Sequence, residues 1–526
     1  MGTRKTSLGE EQTEQDMNRE AINTILGMKV RQARLDRGLT LSEFAELCDL
    51  SASYVTEIEK GRKYPKPDKI MRMAQVLDTS YDSLVSVKLD PSQAYLESVL
   101  SSPLLQSFPF ELFGLEAGDL VDLITRAPAE ASALIHTLVE IARQYDMKSE
   151  HFLRAALRSY QEIHENYFDD IEQAVDEFAA KHDLAGAFPM SLDRLADLVS
   201  SELGYRQDES LIPQYPHLAR YRSIFVDGEQ PALLVNPALS PAQKKFVLAR
   251  ELGYHFLDLQ ERAITSAPDT VRSFEQVMND FKASYFAGAL LMPRQVLVED
   301  LKRLFSLPRW QPDRFLALLD RYDATPEMLL YRFSELIPQY FDIKLHFLRF
   351  HDFGGDYQLT KQLNMSRLMI PSGLGLHEHH CRRWLTVGLL RRLAAGRANG
   401  GPSPIVGAQR SEFLGSGDTF LCIGYARPLT LVPEVGSSVI IGFKYDDDLL
   451  DKIRVAVDTN IPHVIINETC ERCPLPADEC ILRAVPPSAL EEQARTQERR
   501  KQLEGAIEQA RAGALEMVQY SSNTPN

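Results

Sequence analysis

The sequence predicts a multidomain protein: an all-α N-terminal domain, a helical connector and two α+β domains, followed by a charged tail. Three observations carry this reading. At 526 residues the chain has room for about three domains of ordinary size, and its 44% hydrophobic content gives each of them a core. Up to about residue 185 apolar residues recur at helical spacings, as in the stretch 131–142. Beyond it, short β-branched runs alternate with strong helical patterns and are broken by Gly and Pro. The divisions fall at residues 1–24 for a flexible N-terminus, 25–85 for the first domain, 86–185 for the connector, 186–340 and 341–490 for the α+β domains, and 491–526 for the tail.

A formal net charge of −16 repels a polyanion, so any nucleic-acid contact requires cations gathered locally. No apolar run approaches the ~20 residues that cross a bilayer, and residues 1–17 lack a signal-peptide core. Export and membrane insertion are therefore not expected. Six cysteines are too few for a disulfide scaffold in a chain of this length, and three of them crowd into residues 470–480. That pattern points to a metal or redox site in a reducing compartment, the cytoplasm.

In the first domain, helical spacing from Ile25 through Val30, Ala33 and Leu35 ends at Gly38, a residue suited to a helix C-terminus. Thr40 and Glu43 have the capping-box spacing and open a short helix to Cys48. Asp49 and Leu50 make a turn. Residues 51–60 then form a third helix that points Val55 and Ile58 inward and leaves Ser51, Ser53, Tyr54, Thr56 and Glu57 outside. Two short helices with a tight turn, the second with a polar outer face, fit a DNA major groove. Lys60-Gly61-Arg62-Lys63-Tyr64-Pro65-Lys66 supplies four cations beside that helix, which is the local basic surface the net charge demands.

Arg31-x-x-Arg34, Gly38-Leu39-Thr40-Leu41-Ser42, Ser51-x-x-Tyr54-Val55-x-x-Ile58-Glu59-x-Gly61, Pro65-x-Pro67 and Ile70-x-x-Met73-Ala74-x-x-Leu77 together resemble the phage-repressor-like Xre helix-turn-helix family. The resemblance implies a lambda-repressor-like fold. It also implies that Ser51, Ser53, Tyr54 and Thr56 reach base edges while Thr40, Ser42, Lys60, Arg62 and Lys63 hold phosphates. One such module binds weakly, so a homodimer or higher homo-oligomer on a double-stranded operator is expected, with half-sites about one DNA turn apart.

In the next domain, strands at 223–226 and 232–235 precede helices at 241–259 and 271–291. The segments 241–257 and 278–293 resemble the ImmA/IrrE metallopeptidase family, which implies a zincin-like α+β domain. In that family His-Glu-x-x-His places two imidazoles on one helix face to bind zinc, with the Glu as base. Here Arg250 and Tyr254 stand at the histidine positions, Glu251 at the base position, and Asp280 where a third ligand is expected. Arginine does not ligate a cation, so the domain is read as a scaffold lacking its metal ligands and without hydrolytic activity. His255 faces elsewhere on the helix, and Arg250 and Glu251 read as an ion pair filling the old cleft.

From residue 341 strands are expected at 344–350, 420–425, 439–443 and 463–467. Cys470-x-x-Cys473 and Cys480 lie in a Pro-rich loop after the last of these, where two sulfurs at that spacing face one metal. Of the cysteines available as a fourth ligand, Cys422 reads as strand core and Cys381, after a Gly-rich loop, is the better candidate. Zinc, an iron-sulfur cluster and a metal-free thiol set remain open on these residues. The neighbouring His379 and His380 read as a solvated pair, and Arg382, Arg383, Arg391 and Arg392 as a surface charge run.

Cys381-x-x-Trp384 and Cys470-x-x-Cys473-Pro474 ahead of Pro486-Pro487, taken with the two preceding domains, resemble the short-chain fatty acyl-CoA transcriptional regulator family. The resemblance implies a C-terminal sensor domain with a [4Fe-4S] cluster on Cys381, Cys470, Cys473 and Cys480, and control by a short-chain acyl-CoA whose contacts are unassigned. The expected function is a ligand- or redox-responsive DNA-binding regulator and not an enzyme. The alternatives are a metallopeptidase acting on a repressor, and an antitoxin or phage-defence regulator.

Overall fold

Local sequence chemistry sets the N-terminal helices. The structure, a computed structural model, describes residues 22–86, 149–366 and 378–475 with isolated exceptions, together with 112, 368, 480, 482–484 and a few positions near 500. The expected helix at 131–142 lies outside the described residues, as do most of the N-terminus and tail. Helix α1 (25–36) closes at Gly38, whose φ of +66° is the left-handed conformation glycine adopts without strain. Thr40 caps α2 (Leu41–Leu47) in a complete capping box with Glu43, and Ser51 caps α3 (Ala52–Glu59) by accepting from the Tyr54 amide. Pro67 begins α4 (Pro67–Leu77), and α5 (Tyr81–Val85) closes the bundle. Leu26, Val30, Phe44, Val55, Ile58, Ile70 and Met73 form its core.

The described residues divide into two compact units, one reaching Ile163 and including Leu259–Lys282, the other formed by the remainder. The described end of the connector is helical, in α6 (Ser149–Ile163) and α7 (Asp169–Lys181). After α8 (Leu192–Leu203), β1 (Arg206–Asp208), β2 (Ser223–Val226) and β3 (Ala232–Val235) make a sheet of order β1-β3-β2, parallel and then antiparallel. Helix α9 (Pro241–Phe256) starts from a Ser240 and Gln243 capping box, and α10 (Phe274–Leu291) follows. Both are shorter than the sequence suggests, α9 at its C-terminus and α10 at its N-terminus.

Helices α11 (Arg294–Phe305), α12 (Pro312–Tyr322) and α13 (Pro326–Phe341) lead into a six-stranded sheet. Its strands are β4 (Leu345–Asp352), β5 (Tyr357–Asn364), β6 (Ile405–Phe413), β7 (Thr419–Pro428), β8 (Gly436–Lys444) and β9 (His463–Ile466), in the order β5-β4-β8-β7-β6-β9. Only the β6–β9 pair is parallel. Alternation splits the strands between two cores. Phe347, Ile423, Tyr425 and Ile441 face the core shared with α11, α12 and α13. Leu348, Cys422 and Ile440 face the one shared with α14 (Leu385–Arg397). Burial on both faces explains the near-continuous apolar runs of β7 and β8. The first core runs from Met292 to Ile461, so the change near residue 340 is one of secondary structure and not a break in packing.

Arg332 of α13, with a fully buried side chain, joins these layers. It reaches Glu172 of α7 through Nη1 at 2.6 Å and Nη2 at 3.0 Å, Glu335 at 2.8 Å and the Met292 carbonyl at 3.2 Å. Tyr285 of α10 donates to Glu172 at 2.9 Å. Burial pushes the Glu335 carboxyl up to about 7, against Arg332 and with the help of Glu172.

Arg332→Ala leaves two buried carboxylates without their cation and is expected to cost about 3–5 kcal/mol, read by urea unfolding. Glu335 holds its proton more tightly folded than unfolded. Its contribution is therefore full below its ordinary value of 4.5 and is lost as pH rises toward 7. Glu335→Gln is expected to flatten the fall in stability across that window, and an unchanged slope refutes the assignment.

Candidate nucleic-acid interface and ligand sites

Helix α3 is anchored from below. Arg34 of α1 forks onto Glu59 through Nε at 2.6 Å and Nη2 at 2.9 Å, and its Nη1 donates to the Leu39 carbonyl at 2.8 Å. Gly27 permits the close approach of α1 and α3, since a Cβ there would lie 2.3 Å from the Ile58 carbonyl oxygen. Val55 and Ile58 are buried, as their spacing requires. The exposed side then carries Ser51 and Ser53, with Tyr54, Thr56 and Lys60 half-buried beside them.

The other residues assigned to DNA fall around this helix. Ser42, Arg62 and Lys63 are exposed. Thr40 and Ser51 also serve as helix caps, and Thr56 Oγ1 donates to the Ala52 carbonyl at 2.9 Å. Arg62 pairs with Glu57 at 3.2 Å. Gly61, at φ +72°, turns the chain so that Lys60, Arg62 and Lys63 follow the helix directly. Beyond the expected residues, Lys69 of α4 lies over the Tyr54 ring, its Nζ 4.2 Å from the centroid, with the Lys63 Nζ at 5.6 Å. Lys69 belongs to the next helix and carried no signal in the spacing of α3.

Helix α9 buries Arg250, Glu251 and Tyr254, and the Arg250 guanidinium lies 5.6 Å from the Tyr254 ring centroid. His255 is exposed and Asp280 half-buried on α10. Among the described residues, no group of three or more His, Cys, Asp or Glu is placed to hold a metal ion.

An arginine cluster, which the sequence reading did not find, lies where α13 meets the end of the large sheet. Across β4, β8 and β7 the register places His351 opposite Ser437 and Ser437 opposite Arg427. Arg349 precedes His351 by two residues on the same strand face. Glu327, in the first turn of α13, accepts from Arg427 Nη2 at 2.8 Å and Nε at 2.9 Å, and from Ser437 Oγ at 2.9 Å. Burial alone would raise the Glu327 carboxyl, but Arg427 outweighs it and holds it at about 2.

Arg222 and Arg349 feel the same carboxylate. Burial, together with the charge of Arg427 and, for Arg349, that of Arg222, lowers both below the usual arginine value, and Glu327 opposes this. The field of Arg250 also reaches Arg222. Arg222 is exposed and Arg349 half-exposed. His351 is pushed down to about 4 by burial and then by Arg349, and its buried Nε2 has no hydrogen-bond partner. Several cations thus share one carboxylate around a neutral imidazole, an arrangement suited to anions. Its members are scattered from position 222 to 427, so no local motif announces them.

The cysteines assigned to a cluster are all buried and unbridged. The Cys470 amide donates to the His379 carbonyl at 2.8 Å, the Cys381 amide to the Glu468 carbonyl at 3.2 Å and the Cys470 thiol to the His380 carbonyl at 3.8 Å. These bonds bring the segment before α14 against the turn after β9. Burial raises the Cys381 thiol, and Cys470 and Cys473 add repulsion. Arg483 donates to the Cys473 carbonyl at 3.0 Å, and its amide to that of Cys480 at 3.3 Å.

Cys422 is core, with burial pushing its thiol up to about 11. His379 is held by Glu471 at 2.7 Å, while His380 is buried edge-on against Phe350 at 4.9 Å. The two histidines are therefore not a solvated pair: the bridge between His380 and Thr469 draws the second ring inward. Arg391 and Arg392 are exposed on α14, and Arg382 lies 4.4 Å from the Tyr357 ring centroid.

This architecture defines a chain that carries a helix-turn-helix domain and an IrrE N-terminal-like domain. Residues 30–84 match the helix-turn-helix family and 210–334 the IrrE N-terminal-like domain family. The chain is 22% identical over 334 residues to the HTH-type transcriptional regulator RamB of Mycobacterium tuberculosis, covering 60% of this chain and 65% of that protein. It is also 22% identical over 329 residues to the propionyl-CoA carboxylase regulator of Cereibacter sphaeroides, covering 59% and 64%. The matches thus span somewhat under two thirds of either relative. A solved Mycobacterium tuberculosis transcriptional regulator aligns at a TM-score of 0.43 with 19% identity, over 62% of this chain and 92% of that one.

With Arg250 and Tyr254 in place of ligands, the protein is expected to cleave no casein with added zinc or manganese. Metal-dependent cleavage that disappears in Glu251→Gln would overturn this.

Proposed function

We infer that this protein is a sequence-specific DNA-binding transcription regulator whose operator affinity is set by an anionic small molecule. The observation that carries the reading is the capped α3, with polar side chains outside and Lys60, Arg62 and Lys63 at its end. Phosphate contacts fix register while base edges give specificity. Ser53 is the exposed residue of α3 left to read bases, and Thr56 lies three positions further along the same helix. Binding is by a dimer on two half-sites, since one module of this size buries too little surface for tight recognition. The names of the two relatives, both regulators, agree with this reading.

The effector is a short-chain acyl-CoA, and the arginine cluster receives its phosphates. Arg222 and Arg349 meet the anion, while Arg427 is already engaged by Glu327. Control requires that the effector bind the DNA-competent and DNA-incompetent states with different free energy. By donor chemistry four thiols suit a [4Fe-4S] cluster or zinc, although in this structure the described residues do not gather them into a metal-holding group. Cys381, Cys470, Cys473 and Cys480 would hold the group. An iron-sulfur cluster supplies a redox-sensitive charge, whereas zinc supplies a fixed one. The chain's own part is to hold the thiols away from water and to tie Cys381 to α14 through the bond from the Trp384 amide to its carbonyl.

Lys60→Ala and Arg62→Ala are each expected to weaken binding to all duplexes and to lower the salt slope by about one. Ser53→Ala is expected to change sequence preference in a binding-site selection. The pair Arg222→Ala and Arg349→Ala should abolish the effect of propionyl-CoA on DNA affinity while leaving binding without it intact. Anaerobically purified protein with a broad visible band that Cys473→Ala removes would support the cluster, and colourless protein containing zinc would favour the alternative.

A further inference from the structure

We propose that Tyr54 is the positioning residue of a two-lysine phosphate clamp, in which its ring holds Lys63 and Lys69 beside α3 so that both ammonium groups meet one stretch of DNA backbone. The assignment moves Tyr54 from reading base edges to shaping the electrostatic surface, and it adds Lys69 to the interface. It rests on the DNA-binding reading above.

The geometry carries it. The Tyr54 ring is half-buried and packs against the core of the helical domain, so its orientation is fixed from one side. The two Nζ atoms lie 4.2 and 5.6 Å from its centroid, both within the reach of the attraction between a cation and an aromatic ring. Lys63 comes from the loop after α3 and Lys69 from the first turn of α4, so one ring gathers cations from two elements.

The arrangement is costly without an anion. Two ammonium groups beside one ring repel each other, and Lys69 sits near the N-terminus of α4, the end at which the helix dipole disfavours a cation. Neither lysine has a carboxylate partner among the described residues. Asp68 is the acidic residue in that turn. A DNA phosphate supplies the missing negative charge. Because a flexible lysine loses much rotamer entropy on binding, holding both beforehand reduces that loss.

The test measures binding of the full chain to a random-sequence 30-base-pair duplex as a function of salt, for Tyr54→Phe, Tyr54→Leu, Lys69→Gln and the double variant Tyr54→Leu with Lys69→Gln. Tyr54→Phe, which keeps the ring, is expected to bind like the parent. Tyr54→Leu and Lys69→Gln are each expected to weaken binding by about threefold or more. Lys69→Gln should also lower the salt slope by about one. The double variant should lose less than the product of the two single losses.

If Tyr54→Phe binds as poorly as Tyr54→Leu, or if the single losses multiply, the clamp is wrong. A change confined to sequence preference would return Tyr54 to base reading and would also overturn it. Lys69→Gln alters a half-buried side chain outside the core of the helical domain, so an unchanged salt slope in that variant refutes the clamp even if Tyr54→Leu fails to fold. A parent protein that binds no duplex at any salt would instead refute the DNA-binding reading itself.

Discussion

The buried Arg332 guanidinium is the interaction on which the larger unit depends. Taking a charged group wholly out of water is tolerable only where it is paired and its donors are met, and here two carboxylates and a carbonyl meet them. The consequence is architectural. Glu172 fixes α7, Tyr285 fixes α10 through the same carboxylate, and α13 is held where it packs on β4 and β8. Its first turn then presents Glu327 to Arg427. The polar network and the arginine cluster thus share one helix, the first buried and satisfied at its middle, the second rich in positive charge at its first turn.

The arginine cluster also gives a physical account of the departure from the metallopeptidase pattern. A zinc site needs lone pairs, whereas a guanidinium offers only donors and a permanent charge. Arg250 stands on α9 where the resemblance to the metallopeptidase family would have a histidine, and its field extends to Arg222. The substitution therefore does more than remove a ligand, because it reverses the sign of the charge that the neighbourhood attracts.

The most legible parts of the sequence were those set by nearest neighbours. Thr40 with Glu43, Gly38 and the Ser223–Val226 and Ala232–Val235 strands all follow from chemistry within a few residues, and the structure has them in place. Strands β5 and β6 were not legible. Tyr357–Asn364 is a polar edge strand, and Ile405–Phe413 carries Gly407, Gln409 and Ser411 at positions that tertiary packing buries. The arginine cluster was hidden for another reason: its members belong to a loop, a helix and two strands, and only sheet register and the seat of α13 bring them together. Lys69 was missed likewise, since its relation to Tyr54 depends on how α4 returns past α3.

The contact between the segment before α14 and the turn after β9 has an entropic side. Cys381 and Cys470 delimit a span that contains β6, β7, β8 and α14, so any bond joining their sulfurs closes a long loop in the unfolded chain. For loops approaching 100 residues such closure is worth about 4.7 kcal/mol in the chain-entropy account. An agent bridging these thiols would thereby act on the whole span between them, and its loss would be felt first as a gain of freedom in the denatured ensemble, far from the sulfurs themselves.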